Sequence, residues 1–338
     1  ITLNGKANWD VTENLNIDVS TRYVNRKSDT DDQDFSGGAT QGLVLDTDSF
    51  NKTKEFYGSA ALNLSSFQDQ LLQKLEGEIT DLKQRGFSSG ADNGNDGRRY
   101  HASYQATLFL DTLDMFDSNH SFTAAVEFER ETFENSEPTD PSQVKQTRDM
   151  RGYIGEYQGE FFDQFFLSGA VRFDDNDDFE DAVTYSASVA FVVPETNTRI
   201  HGSVGTGITN PSFFEQFGFI PGTFTGNPDL TPEKNFSWDI GVEQKFWDDR
   251  ANIGVTYFQA RLEDEIVSTG FGTSVANQDG VSKRQGVEVN AGVEPIDGLT
   301  IDGTYTYLLS SDPNGLEEVR RPKHSASVSV GYRFLENR

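Results

Sequence analysis

Few residues in this sequence have the types and spacing that chemistry needs. Histidine occurs four times, as His101, His120, His201 and His324. No His-x-x-x-His or Glu-x-x-His pair is present, so a zinc or di-iron site has no local frame. A Ser–His–Asp hydrolase could be assembled around His201, yet neither G-x-S-x-G nor HExxH singles out a nucleophile. The chain has no Cys, which removes thiolate metal sites, iron–sulfur clusters and disulfides. Catalysis is therefore not expected.

The strongest constellation is acidic. SDTDDQDF carries Asp29, Asp31, Asp32 and Asp34, and VLDTD farther along adds Asp46 and Asp48. Calcium takes about six to eight oxygens, commonly from several carboxylates. If Asp29, Asp31, Asp32, Asp34 and Asp46 converge, each pair of charges at 4 Å repels by about 4 kcal/mol at an effective dielectric near 20. A divalent cation would reverse that sign and clamp the segment, so a calcium site is expected here. The competing reading is a solvated acidic loop, or one bridged to lipopolysaccharide by divalent cations. A second group, Asp92 to Asp96, departs from EF-hand spacing because Gly94 stands at the third ligand position.

Residues 209–225 form an aromatic cluster with Phe213, Phe214, Phe217, Phe219 and Phe224. Such rings either receive a large, partly apolar ligand or pack their own loop onto its support. Binding is the expectation to test.

The elements that must position these groups are strands. Val183, Tyr185, Ala187, Val189, Phe191 and Val193 share one parity, and Thr184, Ser186 and Ser188 the other. The same alternation places Ile200 and Val204 against His201 and Ser203, Tyr305 and Leu309 against Thr304 and Thr306, and Val328 and Val330 against Ser327 and Ser329. Period two gives each run one apolar and one polar face. About fifteen such runs occur, roughly 10–14 residues each, against about 5–6 for an ordinary strand. A run of about ten residues tilted by about 40° spans the ~25 Å apolar band of an outer membrane.

Short connections (DVTEN, FQDQ, FFDQ, PETNT, FWDDR, PIDG) take turns with long polar ones at 25–52, 85–98, 134–147, 209–233, 269–280 and 311–322. That sorting is the habit of outer-membrane barrels. The polar face carries Glu127, Glu129, Asp239, Glu243, Glu288 and Asp302, too many carboxylates for a sandwich core but compatible with a wet lumen. Trp9, Tyr23, Phe56, Phe67, Trp238, Phe246 and Trp247 would then sit at the interfaces. No apolar stretch is long enough for a membrane helix. With 28 Lys and Arg against 55 Asp and Glu, a net charge of −27 argues against nucleic acid. The expected fold is all-β: a transmembrane antiparallel up-and-down barrel.

The stretch VGTGITNPSFFEQFGFIPGTFTGNPDLTPEKNFSWDIGVEQKF resembles the barrel of TonB-dependent outer-membrane receptors. Its Gly-Asn-Pro-x-Leu-x-Pro-Glu segment is Gly226, Asn227, Pro228, Leu230, Pro232 and Glu233 around two variable positions. The strings SKRQGVEV and RRPKHSASVSVGY are also similar to this family, and AVRFDDNDDF resembles its cobalamin-transporter subgroup. The resemblance implies a barrel of about 22 strands plugged by an N-terminal domain. The chain is thus expected to be a partial barrel domain over 1–338, with plug and last strands outside it. It further implies import of a scarce metal-carrying nutrient, cobalamin or an iron–siderophore, energised by TonB through the plug. Outer-membrane lipid and lipopolysaccharide, TonB and the metal-chelate ligand are the expected partners. Cobalamin transporters use Asp-rich loops to bind calcium, which agrees with the acidic segment by composition. The rivals are a passive porin or structural barrel and, behind them, an outer-membrane enzyme.

Overall fold

The computed structural model describes residues 1–88, 91–112, 117–136 and 145–334. Its body is one antiparallel sheet of fifteen strands in sequential order. The first eight are β1 (Thr2–Thr12), β2 (Leu15–Asp29), β3 (Phe50–Ser66), β4 (Leu71–Ser88), β5 (Ala91–Thr112), β6 (Ser118–Asn135), β7 (Gln146–Phe161) and β8 (Phe165–Asn176). The remainder are β9 (Ala182–Val193), β10 (Thr198–Thr209), β11 (Glu233–Phe246), β12 (Ala251–Glu263), β13 (Val281–Ile296), β14 (Leu299–Ser311) and β15 (His324–Tyr332). β1 and β15 bound the sheet, and no ladder joins them.

Register explains why alternation dominates. Directly opposed residues of an antiparallel pair point to the same face, so one ladder row can be followed from strand to strand. The row Trp9, Ile17, Leu62, Leu75, Tyr104, Val126, Tyr153, Phe173 and Val183 crosses nine strands without a polar residue. These side chains are not in a core. Leu75 is 51% exposed, Val126 47% and Val183 63%. Val189, Tyr305 and Val330 are exposed on this face too, and Val204 shares it in register with Ala187 and Trp238. Among the described residues the buried apolar set is Ala61, Phe133, Ala190, Leu230 and Ala251. The accessible surface is 21636 Å², whereas a compact soluble chain of this size exposes about 14,000 Å². The missing cover is what lipid supplies on the outside of a barrel.

The opposite face is polar and internally paired. Arg172 binds Glu127 and Asp174, both at 2.7 Å, and Arg199 binds Glu243 at 2.9 Å. Arg99 pairs with Glu129, and Ser203 donates to Asp239. Such pairs satisfy the carboxylates that a dry core would not tolerate.

The connections sort onto two rims. One rim carries the turns 13–14, 67–70, 162–164, 194–197, 247–250 and 297–298, and the other carries 30–49, 177–181, 210–232, 264–280 and 312–323. Phe67, Phe162 and Trp247 open three of the tight turns with φ of 56°, 57° and 58°. They project exposed rings at that rim, as do Trp9 and Phe246. Trp238 differs from expectation: it lies inside β11, half-buried, its Nε1 donating to Gln259 Oε1 at 3.1 Å. The expected loop at 85–98 also differs. β4 and β5 pair up to Ser88 opposite Ala91, so Asp92 to Asp96 lie in a strand. Cross-strand ion pairs hold the extension, Arg85–Asp96 at 2.7 Å and Arg98–Asp81 at 2.5 Å. Most of the expected loop 134–147 lies outside the described residues.

Charge placed on the apolar row should therefore cost more than charge on the polar face. In the membrane-inserted protein, Val126→Lys should lower unfolding stability by about 2–4 kcal/mol, and Ser188→Lys by less than about 1 kcal/mol. Urea titration of both variants in lipid vesicles checks this, and the reverse order would reverse the assignment of faces.

A second expectation concerns the rim loop 312–323. Glu318 accepts from Arg284 Nε at 2.9 Å and Nη2 at 2.8 Å, and those hydrogen bonds hold its carboxyl below the usual glutamate value. A depressed folded-state value means stability that is present above the unfolded pKa and lost as pH falls through the folded one. Protection of the amides in 312–323 against exchange, relative to the intrinsic rate at each pH, should fall between pH 5 and pH 3 in the native protein, and Glu318→Gln should show that lower protection already at pH 7. An exchange rate in Glu318→Gln equal to the native one at pH 7 would remove the ion pair from the loop's stability.

Candidate functional site

Segment 210–232, between β10 and β11, folds back onto the polar face of β6 and β7. A short helix, α1 (Phe213–Phe217), begins it. Ser212 is its N-cap, with Oγ accepting from Glu215 N at 3.2 Å while Glu215 Oε2 accepts from Ser212 N at 2.8 Å. This is a reciprocal capping box. The S-x-x-E spacing at 212–215 is its sequence trace, which counting of alternation passes over. The helix stops at Gly218, whose N–H donates to Phe214 O at 2.8 Å.

Arg148 of β7 fastens the helix to the wall. Its side chain is 7% exposed, and Nη1 and Nη2 donate to Pro211 O at 3.1 Å and Gln216 Oε1 at 2.7 Å. Asp178 approaches Nε at 3.5 Å, and the guanidinium lies over the rings of Phe213 and Phe179 at 4.5 and 4.7 Å. A buried guanidinium needs partners of this kind, although Nε itself makes no hydrogen bond. Asn135 Nδ2 adds a bond to Phe217 O at 2.5 Å. No local pattern marks Arg148, Asn135 or Gln216 in the sequence, because the bonds that fasten loop to wall join residues 63 to 82 positions apart. Between Glu129, Glu131 and Met150 of the wall and Asn210, Ser212 and Phe213 of the loop there remains a cavity of about 320 Å³.

The Gly-Asn-Pro-x-Leu-x-Pro-Glu segment is the second fastening. Gly226 N donates to Gly218 O and Asn227 N to Glu215 O, both at 2.8 Å. A Cβ at Gly226 would stand 2.6 Å from the carbonyl carbon and oxygen of Gln216, so only glycine permits this approach. Asn227 Nδ2 donates to Val275 O at 3.1 Å, and its Oδ1 accepts from Asp229 N at 3.0 Å. Pro228 O accepts from Gln216 Nε2 at 3.4 Å, and Leu230 is 3% exposed. Asn277 brackets Thr231 with two 2.9 Å bonds just before Pro232, and Glu233 Oε1 accepts from Ile266 N at 2.6 Å. The motif therefore ties 210–232 to the neighbouring hairpin Ile266–Thr269/Ser274–Asn277, the loop-shaping role that its prolines and glycine suggest.

The five phenylalanines fall into two ring pairs and a separate Phe219. Phe213 stacks on Phe133 at 5.9 Å and tilts against Phe217 at 6.2 Å, while Phe214 stacks on Phe224 at 4.9 Å. Phe219 sits opposite Thr225 in a two-residue ladder. All five are half-buried. Two pairs pack within the loop, Phe213 also packs on the wall, and every ring keeps part of its surface open.

The aspartates are not brought together. Asp29 ends β2 and pairs with Lys27 at 2.7 Å. Asp32 forms a bridge with Leu45, and Asp34 turns inward to accept from Ser36 N at 2.7 Å and Thr40 Oγ1 at 2.5 Å. Those bonds, Thr40's foremost, hold the Asp34 carboxyl below the usual range. Asp31 and Asp46 join no cluster with them. Among the described residues no group of three His, Asp or Glu side chains is placed to hold a metal. The convergence expected for a calcium site is not seen among these side chains: Lys27 relieves Asp29, and local hydrogen bonds relieve Asp34.

Nor do the lumen groups form a catalytic relay. His201 lies between Asp239, 3.8 Å from Nδ1, and Glu243, 3.6 Å from Nε2. The neighbouring Ser203 hydroxyl bonds Asp239 rather than His201, so no imidazole is in contact with it.

Comparison with known proteins accounts for this architecture. The chain resembles the siderophore receptor PirA from Pseudomonas aeruginosa with a TM-score of 0.78 at 17% identity, over 98% of this chain and 59% of that one. The hemophore receptor HasR of Serratia marcescens matches at 0.75 and 13% identity, over 99% and 62%, and the copper transporter OprC at 0.67 and 12%, over 98% and 56%. The chain thus spans roughly three-fifths of the length of these solved chains. They are siderophore, hemophore and copper proteins, which lends the cobalamin-subgroup likeness no support. The family described as TonB dependent receptor-like, beta-barrel matches residues 2–338, and the sequential sheet, sorted rims and latched loop agree with it: the chain belongs to the TonB-dependent receptor β-barrel family.

Proposed function

We propose that this chain is the receptor wall of an outer-membrane importer that captures a metal chelate at its long-loop rim, with TonB supplying the energy through a plug domain outside this chain. The observation that carries the proposal is the double fastening of segment 210–232, to the wall through Arg148 and to the adjacent hairpin through the Gly226–Glu233 motif. A passive porin needs an open, hydrated mouth. A receptor of high affinity needs its contact groups ordered before the ligand arrives, because ordering them afterwards costs binding free energy. The half-open faces of Phe213, Phe214, Phe217, Phe219 and Phe224 supply apolar contact area of the kind a chelate's organic shell would use. The solved proteins of like fold favour an iron–siderophore over cobalamin as cargo.

Uptake of a radiolabelled ferric siderophore by cells carrying the full-length receptor tests the proposal. Uptake should saturate at low concentration and vanish in cells lacking TonB. Unsaturable uptake that persists without TonB would establish the porin instead.

Gly226→Val gives a sharper expectation. The side chain would displace the Gln216 carbonyl and free the loop, so siderophore affinity should fall about tenfold or more, the equivalent of about 1.4 kcal/mol of lost pre-organisation. The barrel should still assemble, because the substitution lies outside the sheet. Unchanged affinity in an assembled Gly226→Val receptor would remove the latch from ligand capture.

A further inference from the structure

The outward face bears a feature that ligand capture does not use. In a chain with 28 basic against 55 acidic residues, five cations gather on three adjacent strands. Lys52 of β3 stands directly opposite Lys27 of β2 and Arg85 of β4, and Lys54 stands opposite Lys83. All five side chains are exposed. Like charges directly opposed across strands are destabilising, so this arrangement needs a reason. Asp29 relieves Lys27 and Asp96 relieves Arg85, each at 2.7 Å. Among the described residues Lys52, Lys54 and Lys83 have no ion pair.

Parity and height locate the patch. Residues 50, 52, 54 and 56 continue the parity of Leu62 and Leu64, which face outward. From Leu64 to Lys54 the strand climbs ten residues, or about 33 Å along the strand and about 25 Å along the membrane normal at a tilt near 40°. That is the height of the apolar band, so the lysines sit at its upper edge. Tyr23 and Phe56 lie exposed just below them. Above them Phe50 and Phe87 stack at 5.9 Å, with Lys27 Nζ 4.9 Å from the Phe50 centroid. The rim is the one that carries the long loops, which barrels place on the outside of the cell.

We propose that Lys52, Lys54 and Lys83, flanked by Lys27 and Arg85, form a binding site for the phosphate groups of an anionic glycolipid in the outer leaflet. A phosphate between these strands would turn three unpaired like charges into partners of one anion. The flanking aromatics would take the start of its acyl region, since rings of this kind favour the headgroup level. The site rests on the outward face being lipid-facing. It makes no use of the transported ligand or of segment 210–232.

The test uses the full-length receptor in neutral detergent, titrated with bis-phosphorylated lipid A, with the same lipid after phosphate removal, and with inorganic phosphate alone. Binding is read by native mass spectrometry. The phosphorylated lipid should bind most tightly. The triple variant Lys52→Gln/Lys54→Gln/Lys83→Gln should weaken it by about 100-fold, from about one basic contact's worth per lysine, and the triple Arg variant should keep most of the affinity. Heat-modifiable migration on gels confirms that each variant is folded, and siderophore uptake by the Gln variant should match the native receptor, which separates this site from import. Equal binding of the phosphorylated and dephosphorylated lipids, or native-like binding by the folded Gln variant, would overturn the proposal. Saturation of the site by millimolar inorganic phosphate that displaces the lipid would assign it to free phosphate instead.

Discussion

A strand that crosses hydrocarbon must pair every backbone N–H and C=O sideways, because lipid offers no partner. Most of this molecule follows from that constraint. Pairing sideways in sequential order makes the up-and-down sheet, and the fixed two-residue period of a paired strand makes every row of side chains belong wholly to one face. The uninterrupted apolar row from Trp9 to Val183 is the consequence. So is the poverty of buried apolar residues, since the sheet has lipid and lumen to face and no second layer to pack against.

The two faces then solve the charge problem differently. The lumen face pairs its charges across strands, as in Glu127–Arg172–Asp174 and Arg199–Glu243. Water and protein on that side make such pairs affordable at modest strength. The outward face keeps its charges above the apolar band, where Arg130–Asp149 and Arg151–Asp175 border the long-loop rim. A net charge of −27 thus conceals a sorted distribution, in which position relative to the band matters more than the total.

The loops obey a different rule. A strand inherits its conformation from its neighbours, whereas a loop must supply its own restraints. Segment 210–232 supplies them by a capping box, by a buried guanidinium, by a glycine that reaches back to Gly218, and by an asparagine and a glutamate whose partners are backbone groups of the neighbouring hairpin. The acidic loop 30–49 supplies them through Asp34, used as a turn-forming acceptor. In both, side chains with evident chemical potential are first of all parts of the scaffold. Phe213 packs its loop onto the wall, and Asp34 folds its own turn.

What the sequence by itself determined was the wall. Alternation specified the strands, their faces, and outward positions such as Val189, Tyr305 and Val330, because the period of a paired strand is a local property that every residue reports. Turn chemistry in FQDQ, FFDQ and FWDDR marked one rim for the same reason, and the Gly226–Glu233 motif was legible as loop geometry. The tertiary structure alone decided the rest. Arg148 became the anchor of the helix through residues 63 to 68 positions away, and Asp29 and Asp34 were taken up by Lys27 and by local hydrogen-bond donors instead of converging with their neighbours. Residues 91–98, rich in glycine and aspartate, joined a strand because the opposing strand offered Arg85 and Asp81 as partners. Composition places a residue's chemistry on the chain, but convergence is a three-dimensional event, and only the register of distant strands determines which groups meet.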